Sequence, residues 1–172
     1  QGAKLRGNHF TLDDVDAPTF LGVRQSEFDT TLDVTVGGNS PEAGVTFYLC
    51  EDHHYDLYLA QADGGSRAEL RLTTGDAQCV KASVPLEQGQ QEVKLHVESD
   101  EEIYTFFAEI AGEKKELGKA RTKYLSSEVA GGFTGTVMAM YAVNPEEKED
   151  AWGEFTGFNW TIKKWVNTDS VR

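Results

Sequence analysis

The sequence predicts an all-β fold, a two-sheet antiparallel β-sandwich, and three observations carry that prediction. Apolar and polar residues alternate in run after run, which is the period of a strand with one wet face. Clusters of turn-forming residues punctuate those runs at short intervals. No stretch has a convincing helical period, and the only helical expectation is one turn near Ser126–Val129.

In chain order, Leu32, Val34 and Val36 alternate with Asp33 and Thr35, giving the first half-buried strand. Gly37-Gly38-Asn39-Ser40-Pro41 reverses the chain before Val45, Phe47 and Leu49, which alternate with Thr46 and Tyr48. Tyr55–Gln61, Arg67–Thr73 and Cys79–Val84 follow, separated by Asp63-Gly64-Gly65 and Thr74-Gly75-Asp76. After Gln88-Gly89 come Val93, Leu95 and Val97, then Ile103–Glu109, the turn Ala111-Gly112-Glu113, Thr134–Ala142 and Glu154–Lys163. β-branched and aromatic residues enrich these runs. Ten to twelve strands in a meander are expected. Phe158, Trp160 and Ile162 alternate as core residues. Residues 1–164 read as a single module and 165–172 as a tail.

The loop Glu51–His54 predicts a hairpin with Phe47 opposite Leu59 and Tyr48 opposite Tyr58, so that Phe47, Leu49, Leu57 and Leu59 share the buried face. Continuing outward, Arg71 and Lys81 would extend an exposed Tyr48-Tyr58-Arg71-Lys81 stripe able to stack on a sugar ring and bond its hydroxyls. The same row is also what an ordinary cross-strand aromatic pair with solvated charges looks like. Tyr55, Phe133 and Trp152 stand near turns as further exposed aromatics, Phe133 between glycines that let its loop project or plug one end of the sandwich.

The 172 residues suffice for one core without disulfides or metals. A formal net charge of -13 argues against nucleic acid and anionic membranes as partners, since polyphosphate binding depends on clustered Lys and Arg. No run of about 20 apolar residues is present to span a bilayer. Cys50 and Cys79 fall two strands apart and read as free thiols. The first residues lack a signal-peptide pattern. Asn159-Trp160-Thr161 is a glycosylation sequon with Asn159 facing outward, which matters only in a secreted eukaryotic protein.

No catalytic constellation is complete. Glycosidases need two carboxyl groups roughly 5 to 9 Å apart. Sandwich glucanases often carry Glu-x-Asp-x-x-Glu, and the nearest match, Glu27-Phe28-Asp29, has Leu32 in its third position. Glu51, Asp52, His53, His54 and Asp56 look like a metal cluster, but adjacent histidines on extended backbone point to opposite sides and read as a solvated hairpin loop. Neither a Gly-x-Ser-x-Gly elbow nor a phosphate-binding Gly-rich loop occurs, for Ala130–Gly135 has no Lys and opens a strand. No cofactor is implied. Calcium is the one ion the acidic loops leave open, although no run supplies six to eight oxygen ligands.

Three segments in order, Ala17 to Gln25 (APTFLGVRQ), Glu42 to Leu57 (EAGVTFY leading into EDHHYDL) and Tyr124 to Gly135 (YLSSEVAGGFTG), resemble the C-terminal concanavalin A-like sandwich of glycoside hydrolase family 43, found in β-xylosidases and arabinofuranosidases. The resemblance covers about Leu5 to Lys164. It implies a non-catalytic accessory module that packs on a five-bladed catalytic propeller, with xylan or arabinoxylan as a ligand. It also implies that Phe133 matches a Phe that such a sandwich contributes to the catalytic pocket. An extracellular location is expected, with a cytoplasmic one as the alternative. Two other readings remain: an interaction domain without sugar affinity, and a self-sufficient sandwich glycosidase, whose signature would be a groove lined by Glu27, Asp29 and a carboxyl from another strand.

Overall fold

The computed structural model describes residues 2–16, 19–126, 128 and 135–163. Twelve strands are described: β1 (Gly2–Leu5), β2 (Thr19–Arg24), β3 (Thr30–Gly38), β4 (Glu42–Cys50), β5 (His53–Ala62), β6 (Gly65–Thr74), β7 (Ala77–Pro85), β8 (Val93–Ser99), β9 (Ile103–Ile110), β10 (Glu113–Arg121), β11 (Val137–Val143) and β12 (Gly153–Ile162). They form two six-stranded antiparallel sheets, β1-β12-β3-β8-β9-β10 and β2-β11-β4-β5-β6-β7. All five expected turns lie between strands. A 3₁₀ turn at Thr122–Leu125 precedes the expected helical turn, and Ser127 and Val129 of that segment, like the tail 165–172, lie outside the described residues.

Alternation puts one face of each sheet into a common core, and β9 shows it cleanly, with Tyr104, Phe106, Ala108 and Ile110 buried. Aromatic rings join the sheets there. Phe47 of β4 lies 4.8 Å from Tyr104 and 6.3 Å from Phe106 between ring centroids, and Tyr55 of β5 meets the same two rings edge-on at 5.8 and 6.2 Å. Each such buried side chain contributes about 1.5–3 kcal/mol by leaving water.

The β4–β5 hairpin differs from the sequence reading. Its turn is only Glu51-Asp52, with a bulge at Leu49, so Phe47 stands opposite Tyr55, Tyr48 opposite His54 and Gly44 opposite Tyr58. His53 and His54 are strand residues rather than loop residues. The register has moved by an even number, which preserves the faces while changing every partner. Phe47, Leu49, Leu57 and Leu59 are therefore buried as expected.

β12 corrects a second expectation. Gly157, at φ +63°, sits in a bulge between Thr156 and Asn159, and β1 pairs only with Gly153–Thr156. Beyond that point no strand among the described residues pairs with this edge of β12. Phe158 and Ile162 are accordingly exposed and not core, while Trp160 is partly buried against the core and Asn159 faces solvent.

Candidate functional site

The outer face of the second sheet is covered by the segment before β2. Leu12 from that segment packs with Tyr58, Tyr141 and Val143 in a second apolar cluster. Asp13 accepts a bond from the His54 ring at 2.8 Å and from the Gln78 amide at 2.9 Å. Tyr58 is thus buried, 3% exposed, and the expected exposed stripe does not exist at that position. The cover comes from residues more than forty positions away, which strand alternation cannot reveal.

Beneath the cover lies a continuous polar network. Arg71 donates two bonds to Glu42, at 2.9 and 2.8 Å, and one to Asp56 at 2.8 Å, and its guanidinium lies 4.7 Å from the Tyr58 ring centroid. Asp56 also accepts from Thr46 at 2.7 Å and meets His54 at 2.8 Å. Burial opposes the Asp56 charge, yet His54, Arg71 and Thr46 hold its carboxyl below the usual range. Burial likewise pushes His54 down, but the bond and charge of Asp56, with Asp13 behind, raise it above its ordinary value. The Arg71 guanidinium is already bonded to Glu42 and Asp56, so it is not free to hold a sugar.

Two other aromatics expected at loop tips part company. Tyr55 is a core residue whose hydroxyl donates to the Arg121 carbonyl at 2.6 Å. Trp152 is 37% exposed beside the β3–β4 turn, where its carbonyl accepts from the Asn39 and Ser40 amides. Tyr48 is partly buried, its ring 5.7 Å from that of His54. Lys81 departs from the outer row because a bulge between Leu70 and Arg71 turns it to the other face, where its ammonium donates to the Lys119 carbonyl. Phe133 lies outside the described residues.

At the edge where β7 and β10 approach, the sheets part into a cleft of about 500 Å³. Tyr55 and Leu72 line its apolar part, Asp76, Lys119 and Arg121 its polar part, and Tyr124 stands at its side, 40% exposed. Volume and lining match those of small-molecule sites, apolar walls with a few polar groups. This cleft was not legible in the sequence, because residues 113–121, which form β10, lack the alternation that marks a strand.

The end of the sandwich that holds the β4–β5 and β6–β7 turns is tied together by backbone. Gly75 donates to the Asp52 carbonyl at 2.7 Å, Thr122 to the Glu102 carbonyl at 3.0 Å, and Gln25 to the Thr136 carbonyl at 2.8 Å. The Thr136 hydroxyl bonds the Leu125 carbonyl at 2.9 Å, so the connection from β10 to β11 leaves and returns at one pinned point. Beside it Glu27, Phe28 and Asp29 line an acidic hollow with Asp100, Glu101 and Glu102. Asp100 accepts two backbone amide bonds at 2.8 Å, which hold its carboxyl low, and Asp29 pairs with Lys163 at 3.3 Å. Asp100, held low by its two amide bonds, is not the raised proton donor that glycoside hydrolysis requires.

On the β4–β5 turn, Cys50, Asp52 and His53 converge. The Cys50 thiol donates to Asp52 at 3.0 Å, burial and that carboxylate pushing it up to about 11. Cys50 and Cys79 are both free thiols. His53 and His54 point to opposite sides, as adjacent strand residues must.

The sequence matches the family model of the beta xylosidase C-terminal concanavalin A-like domain over residues 3–161. The chain belongs to this family. Among relatives of this concanavalin A-like domain, it is 33% identical over 143 residues to a non-reducing end alpha-L-arabinofuranosidase of Bacteroides ovatus, a match spanning 81% of the chain and 27% of that protein. A solved structure described as Bacteroides ovatus xyloglucan PUL GH43B superposes with a TM-score of 0.83 at 30% identity, over 93% of this chain and 32% of that one. The xylan beta-1,4-xylosidase of Bacillus halodurans superposes with a TM-score of 0.81 at 19% identity, over 92% and 32%, and shows the same fold. The chain therefore spans about a third or less of these relatives, and it corresponds to their C-terminal domain rather than to a catalytic module.

Proposed function

We propose that this chain is the accessory sandwich of a family 43 arabinofuranosidase or xylosidase, packing on the catalytic propeller and completing its pocket through Phe133. The observation that carries this reading is the family match over residues 3–161 in a chain about a third the length of its relatives. The described residues on either side of the segment that contains Phe133 are compatible with it: the Thr136 hydroxyl bonds the Leu125 carbonyl, and the Gln25 amide bonds the Thr136 carbonyl. Xylan or arabinoxylan is the proposed ligand. Its contact moves from the sheet face, where Tyr58 and Arg71 are occupied, to the cleft beside Tyr124.

A second reading, packing without sugar affinity, is favoured by β2, where Leu21 and Val23 share one face and are both exposed. Such a row is suited to burial against another domain. A chimaera separates the readings: this chain replaces the sandwich of the Bacteroides ovatus relative, and kcat/KM on an aryl arabinofuranoside is compared with that of the bare propeller. Pocket completion predicts restored activity that falls in Phe133→Ala. Activity no greater than that of the bare propeller contradicts it. Titration of the chain with xylo-oligosaccharides tests the sugar contact, with heat in the wild type and none in Tyr124→Ala as the expected result.

A further inference from the structure

We propose that Cys50, Asp52 and His53 form a binding site for a borderline divalent metal ion of the zinc type at the tip of the β4–β5 hairpin. Two independent features build it. The first is the bulge at Leu49, which breaks the alternation of β4 and sets Cys50 directly opposite His53. Directly opposed residues of an antiparallel pair project from the same face with Cβ atoms about 4.5–5.5 Å apart, and re-aiming one side chain is what a bulge does. Without it Cys50 would share the outer face with Tyr48.

The second feature is donor spacing. Cys50 Sγ lies 3.0 Å from Asp52 Oδ1 and 3.7 Å from His53 Nδ1, and His53 Nδ1 lies 3.0 Å from Asp52 Oδ1. Zinc bond lengths to sulfur, nitrogen and oxygen in a tetrahedron place its ligands about 3.3–3.6 Å apart. The three donors thus need to move by only a few tenths of an ångström to close on one ion. Asp52 is fixed in place by the Gly75 amide on its carbonyl, so the turn does not have to be ordered on binding.

The donor set selects the ion. One thiolate, one imidazole and one carboxylate suit zinc and cobalt, whereas calcium and magnesium take oxygen ligands alone. His53 coordinates through Nδ1 with its proton on Nε2, the thiol proton leaves to solvent, and water takes the fourth position. This site is distinct from the propeller-packing reading and stands or falls without it.

The test is cobalt titration of the untagged, reduced 172-residue chain after chelation. The site predicts one Co²⁺ per chain, a near-ultraviolet sulfur-to-cobalt charge-transfer band, visible bands of tetrahedral intensity, and displacement by one equivalent of Zn²⁺. Cys50→Ser removes the charge-transfer band, His53→Gln weakens binding by about ten-fold or more, and Cys79→Ser changes neither. Absence of the band in the folded wild type overturns the proposal whatever the variants do. So does a band that survives Cys50→Ser and disappears in Cys79→Ser.

Discussion

Arg71 holds two carboxylates that could not otherwise share one covered sheet face, since Glu42 and Asp56 are bonded to the same guanidinium. Arg71→Met leaves a fully buried Asp56 short of its cation, and breaking a buried pair from one side costs about 3–5 kcal/mol. Urea denaturation should show that loss in the midpoint with an unchanged slope. Asp56 also sets a pH dependence. Its folded carboxyl titrates below the unfolded value of about 3.9, so the stability it contributes is complete above that pH and is lost as pH falls through the folded value. Acid unfolding of the wild type should steepen there, and Asp56→Asn should flatten that limb; an unchanged acid profile in the variant would contradict the network's role.

At the scale of elements, the β4–β5 hairpin depends on Gly44. A Cβ there would lie 2.2 Å from the Leu57 carbonyl oxygen and 2.5 Å from Tyr58 Cα, both backbone, so neither can move aside cheaply. Gly44→Ala should destabilise by about 3 kcal/mol, read by the same denaturation, whereas a neutral result would mean that β4 and β5 pair differently. The turns and the inward faces of β3, β4, β8 and β9 were legible in the sequence because Gly-rich reversals and period-two alternation are local properties. The β4–β5 partners were not, because a two-residue turn with a bulge and a four-residue loop place the same side chains inward. Three edge strands also escaped: β1 is four residues long, β2 is mostly exposed, and β10 buries only Leu117 and Ala120 among its charges. Tyr58 escaped for a different reason, since its cover is Leu12.

For the whole molecule, the sheet order and the family match agree on a sandwich that corresponds to the C-terminal part of much longer relatives. Asp29, Asp56 and Asp100 are hydrogen-bonded or ion-paired, and the deep polar network is covered by Leu12 and Asp13 rather than open to a substrate. The proposed accessory role rests on that correspondence. The most direct measurement is hydrolysis of aryl α-L-arabinofuranoside and aryl β-D-xyloside by the purified 172-residue chain alone. An accessory sandwich predicts no turnover above the buffer blank, and enzyme-like turnover that is lost in Glu27→Gln or Asp29→Asn would contradict the account.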